Sequence, residues 1–164
     1  MLRRRQGVRL ATRPAILLGV VAAGLVLAAP AVAKVAPDVK QRFAAESGDL
    51  CHLGVTAGVL VWPGAPQENP LVHVVGAVAD QPDTPCGHDD RYTVARFTAY
   101  SKRQLVDLQE RKADDEKVGF EFDLGAAAIT ARPVDLVTVR VCRLSKKPSI
   151  PYDYCGPEQR YVRP

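Results

Sequence analysis

Four cysteines and three histidines are the side chains here best suited to chemistry. Cys51-His52 and Cys86-Gly87-His88-Asp89-Asp90 gather thiols, imidazoles and carboxylates into two short spans. Such groups can hold zinc, but the C-x-x-C and H-x₃-H spacings that suit a tetrahedral site are missing. An even number of cysteines in an exported chain reads instead as a pair of disulfides. Three pairings are possible. Cys51–Cys86 with Cys142–Cys155 is preferred, because each closes a local loop. In the chain-entropy model these loops contribute roughly 4 and roughly 3 kcal/mol.

Hydrolytic chemistry needs a histidine held by an acid and facing a nucleophile. His88-Asp89-Asp90 supplies acids beside a histidine, but in a turn, where Asp is common for local reasons. None of Ser47, Ser101, Ser145 and Ser149 sits in a G-x-S-x-G context. Glu121 and Asp123 are two carboxylates on one strand face, at a spacing that glycoside hydrolysis can use. Alternation in a strand with one wet face produces the same pattern by default. Gly54 and Gly58 precede no helix, so no phosphate loop is expected. Asp80, Asp83, Asp89 and Asp90 do not follow the calcium-loop spacing. The only asparagine, Asn69, is followed by proline and makes no glycosylation sequon. No catalytic, cofactor or metal residue is therefore assigned, and no cofactor is expected.

The compartment follows from the first 33 residues. Arg3, Arg4, Arg5, Arg9 and Arg13 precede an almost wholly apolar run from Pro14 to Pro30, and Ala31-Val32-Ala33 closes it. Basic, apolar and A-x-A parts in that order make a secretory signal peptide over 1–33, cleaved after Ala33. The competing reading is an uncleaved anchor, since the run is about long enough to span a thin bilayer. Of the 22 Lys+Arg and 18 Asp+Glu, residues 1–33 hold five arginines and no acid, so the remainder carries 17 and 18, net −1. The basic pI near 9.0 thus belongs mostly to the discarded piece and implies no nucleic-acid partner. Once the signal is cleaved, no membrane contact is expected either. The Ala/Val/Arg bias points to a bacterial exported protein.

The elements that must position these groups are short strands. The clearest is 136–144, with Val137, Val139 and Val141 on one face and Cys142 on the other. Residues 34–50 read as a polar lead-in, with 39–47 either a short helix or a disordered arm. In 51–62, Leu53, Val55, Ala57, Val59 and Val61 are expected inward, with Gly54 and Gly58 outward. Residues 71–79 follow, with Val72, Val74 and Val78 inward and His73 outward, as a hairpin across the 63–70 loop. Next come strands 92–101 and 118–124, the latter with Val118, Phe120, Phe122 and Leu124 inward, and a short strand at 127–131. Ser101-Lys-Arg-Gln104 has capping-box spacing. The stretch to Lys117 is either a surface helix or an edge strand through Val106 and Leu108, with 111–117 a solvated loop. Residues 159–164 are frayed or an added edge strand. The tyrosines of the tail, Tyr152, Tyr154 and Tyr161, either pack it onto the sheet or offer a partner surface.

Six or seven short strands with little helix predict an all-β, disulfide-stapled antiparallel β-sandwich over 51–164, immunoglobulin-like in the broad sense. A small β-barrel is the alternative. The expected function is a secreted, extracellular, non-catalytic module with a binding or structural role toward a protein or cell-surface partner. The alternatives are a proteinase inhibitor using the loop Pro82–His88 around Cys86, and a small secreted hydrolase using Glu121/Asp123 or His88.

Overall fold

In a computed structural model of the chain, the described residues form nine strands. It describes residues 36–50, 54–65, 70–81, 90–125, 132–147 and 153–164. The strands are β1 (Val39–Glu46), β2 (Gly54–Trp62), β3 (Val72–Asp80), β4 (Arg91–Ser101), β5 (Gln104–Ala113), β6 (Lys117–Leu124), β7 (Leu136–Ser145), β8 (Tyr154–Cys155) and β9 (Gln159–Val162). All pairings are antiparallel. One sheet runs β1-β2-β3-β6; the other runs β5-β4-β7, with β8 and β9 both on the far edge of β7. Two separate sheets facing each other across one core make a sandwich, not a closed barrel.

β7 is central in its sheet, and Val137, Val139 and Val141 are fully buried. Cys142 and Cys155 stand directly opposite each other on β7 and β8 and form a disulfide. Cys51 and Cys86 lie outside the described residues, as does the strand expected at 127–131.

Several expectations are corrected. Residues 39–46 are neither helix nor arm but the edge strand β1. Phe43 and Ala45 are buried while Arg42, Ala44 and Glu46 are exposed. β2 is turned over. Gly54, Thr56, Leu60 and Trp62 are its buried positions, and Val55, Ala57, Val59 and Val61 face outward. The reason is volume. On the inner face one row reads Phe43–Gly58–Gly76–Phe120 across the sheet. The two central glycines leave room over which the rings of Phe43 and Phe120 lie, 6.5 Å apart and nearly parallel. Phe97 from the opposite sheet meets both rings edge-on, at 5.5 and 5.3 Å. A Cβ on Gly58 would fall 2.1 Å from the Val75 carbonyl oxygen and 2.7 Å from the Phe43 ring. Trp62, 1% exposed, closes one end of the core and donates its indole N–H to Gln41 Oε1 at 2.9 Å.

Ser101–Gln104 does not cap a helix. Lys102 and Arg103 have φ of 49° and 69°, the pair of left-handed residues that a two-residue type I′ hairpin needs. The turn joins β4 to β5, so the edge-strand alternative is the one observed. The charged run is strand as far as Ala113, and Lys117 already begins β6. β5 is an edge strand with Glu110 and Lys112 exposed beside Leu105 and Leu108. β3 and β6 have the faces expected of them. Residues 159–162 are the added edge strand. Tyr161 packs against the core and its hydroxyl bridges Ala44 N and O, both at 3.1 Å. Tyr154 is 43% exposed, with the Arg91 guanidinium over its ring.

Candidate functional site

The inversion of β2 puts valine where a soluble sandwich normally puts charge. Four rows cross the outer face of the four-stranded sheet from β1 to β6. They are Lys40–Val61–His73–Asp123, Arg42–Val59–Val75–Glu121, Ala44–Ala57–Ala77–Gly119 and Glu46–Val55–Ala79–Lys117. The two central columns are apolar except for His73, and Val75 is 40% exposed. Charge is confined to the outer columns. The third row is wholly small, a trough between the valine ridge of row two and the last row. On the β1 side an open cleft of about 420 Å³ adjoins it, lined by Ala44, Glu46, Val55 and Ala57 of the face and by Pro157 and Gln159 of the tail.

The outer face of the other sheet is different. Its rows are Lys112–Val94–Cys142, Glu110–Arg96–Arg140, Leu108–Thr98–Thr138 and Leu105–Tyr100–Leu136. Arg96 and Glu110 pair at 2.7 Å. Arg96 and Arg140 put charge in the middle of that face, where Val94, Thr98 and Thr138 are buried, and Leu105 and Leu108 are exposed on its β5 border.

His73 and the carboxylate pair Glu121/Asp123, read apart in the sequence, meet on the open face. Pairing of β3 with β6 sets His73 opposite Asp123. His73 Nδ1 lies 2.9 Å from Asp123 Oδ1, and Nε2 lies 3.2 Å from Glu121 Oε1. A general base needs one ring nitrogen free for the nucleophile's proton. Here a carboxylate faces each nitrogen, so the ring is clamped on both sides and neither nitrogen faces a nucleophile among the described residues.

A second group was not foreseen. At one end of the sandwich Arg143 is buried between Asp80 (Nε to Oδ1, 3.2 Å) and Asp49 (Nη1 to Oδ2, 3.1 Å). Asp80 also accepts from Thr93 Oγ1 at 2.9 Å and from the Asp115 amide at 3.3 Å. Gly54 admits the arginine, since a Cβ there would lie 2.8 Å from both Arg143 Cγ and Thr93 Oγ1. Asp80, Asp114 and Asp115 come close enough to share a cation, but protein cations already face them. Lys146 bonds Asp114 and lies 3.3 Å from Asp115. The Lys146 hydrogen bond holds the Asp114 carboxyl below its ordinary range, and the same bond raises the Lys146 ammonium. Lys147 does likewise to Asp90 across 2.5 Å. This is an ionic clasp joining the segments that lead into 82–89 and 148–152.

His52, His88, Cys86 and the Pro82–His88 loop lie outside the described residues. The sequence therefore located the Glu121/Asp123 pair and, apart from it, His73, and missed both the apolar face and the Arg143 clasp. A signal for the clasp existed, in the arginine at the inward position after Val137, Val139 and Val141. No protein-family model, curated protein or solved structure matches this chain.

Proposed function

We propose that this chain is an exported, non-catalytic β-sandwich module that binds a protein surface through the open face of its four-stranded sheet. One observation carries the reading. The two central columns of the face, on β2 and β3, are apolar through four consecutive rows except for His73, and charge stands only in the columns of β1 and β6. A face with an apolar centre and charged borders has the layout of a protein interface. Export is supported by the basic, apolar and A-x-A order of 1–33 and by the Cys142–Cys155 disulfide. The clamped His73 argues against hydrolysis on this face.

The test is a photo-crosslinking side chain at Ala57, on the open face, with Glu110 on the other sheet as control. The protein is made by an exporting host with its own N-terminal segment. A discrete adduct from position 57 and none from 110 is expected. Equal yields from the two positions, or none from either, overturn the reading.

A further inference from the structure

We propose that the surface this face takes is a second copy of the chain, docked face to face about a twofold axis that crosses the strands. The inference rests on the reading of the face as a binding surface and names its occupant. Charge is the first argument. Down the β1 border the order is Lys40, Arg42, Ala44, Glu46; down the β6 border it is Asp123, Glu121, Gly119, Lys117. Each border runs from one sign to the other through a small residue. A twofold that reverses the rows sets Lys40 against the mate's Glu46 and Asp123 against the mate's Lys117. Each pair occurs twice, as an isologous contact requires. Lys40 and Lys117 make no ion pair within the chain among the described residues.

Shape is the second argument. The same reversal lays the ridge Val59–Val75 of one copy over the trough Ala57–Ala77 of the other. Successive rows are about 6.7 Å apart and packed sheets about 10 Å, so side chains of one face must enter hollows of the other. A twofold along the strands also matches charges, but it lays trough on trough and leaves the centre unfilled. Area is the third. Four strands at about 4.8 Å by four rows cover about 500 Å² per copy, or about 1,000 Å² in the pair, the lower end for a specific interface. A reversible dimer with Kd on the order of micromolar or weaker is expected.

Sedimentation equilibrium on the purified protein tests this. The native chain should show a reversible monomer–dimer equilibrium. Lys40→Glu should weaken it about tenfold, since two like-charge contacts appear per dimer. The swap Lys40→Glu with Glu46→Lys should restore it. Ala57→Leu, which fills the trough, should weaken it as well. Thermal melting of each variant confirms that these exposed positions leave the fold intact. A chain monomeric at all concentrations, a double swap no better than the single one, or tighter association of Ala57→Leu overturns the proposal. If the chain is monomeric yet position 57 still crosslinks to a species of another mass, the dimer fails and the binding-module reading stands. No crosslink and no dimer sinks both.

Discussion

Replacing Arg143 with Met keeps an unbranched apolar stem and removes the guanidinium and its charge. Arg143 and Asp80 are 4% and 1% exposed and Asp49 is 7% exposed, so water does not replace the lost cation. Asp80 keeps the Thr93 hydroxyl and the Asp115 amide, which solvate one negative charge in part. Removing one partner of a buried ionic group typically costs about 3–5 kcal/mol, because the remaining charges stay desolvated. At roughly 4 °C per kcal/mol for a domain of this size, the melting temperature should fall by about 12–20 °C at neutral pH. Adding Asp80→Asn and Asp49→Asn to Arg143→Met should recover part of the loss, because a neutral amide is far cheaper to bury than a carboxylate. Thermal unfolding followed by circular dichroism reads both effects. A fall of less than about 4 °C, or no recovery in the triple variant, would show that the clasp is solvated and the reasoning wrong.

Two glycines of the same sheet should behave oppositely. Gly58→Ala drives a Cβ against the Val75 carbonyl at 2.1 Å and should cost about 3 kcal/mol. Gly119→Ala meets nothing nearer than 4.0 Å and should stay within about 0.5 kcal/mol; urea midpoints compare them. Asn and Gly at 102 and 103 suit the left-handed turn better than Lys and Arg, and the double variant should gain about 1 kcal/mol. Cys142→Ser with Cys155→Ser opens a loop with a sequence separation of 13 and should cost about 3 kcal/mol, which unfolding with and without reductant checks on the native chain.

The strands were legible wherever one face was uniformly apolar. Val137, Val139 and Val141 on β7, and Phe120 and Leu124 on β6, are buried as their alternation predicts. β1 was not legible, because its inward face holds only Phe43 and Ala45 between charged residues, too little to separate a strand from a polar arm. β2 misled for a deeper reason. Alternation says that two faces differ but not which one turns inward, and hydrophobicity favours the valines. The choice was made by Phe43, Phe97 and Phe120, whose rings need the hollow over Gly58 and Gly76. That information sits in four other strands. The site was lost the same way. His73, Glu121 and Asp123 were each placed outward, but their meeting depends on β3 pairing with β6, about fifty residues later, and register across such a gap is not written in local periodicity.

An apolar sheet face is a hazard unless other routes of association are closed, and here the edges are closed. The free backbone of β1 is taken at Ala44 by the Tyr161 hydroxyl. β6 carries Lys117, Glu121 and Asp123 outward, and the Arg111 guanidinium lies 3.9 Å from the Phe122 ring centre. β5 exposes Glu110 and Lys112 toward its C-terminal end and is bulged against β4 at Ala99/Tyr100. On the last edge β8 and β9 have only two and four residues. Short, charged, bulged or covered edges are the devices that stop strand-to-strand addition. Polar residues at Val59 and Val75 would cost nothing in the core, since neither points there. Valine at both positions, beside edges closed to strand addition, leaves face-to-face contact as the open route of association, which is the route proposed above.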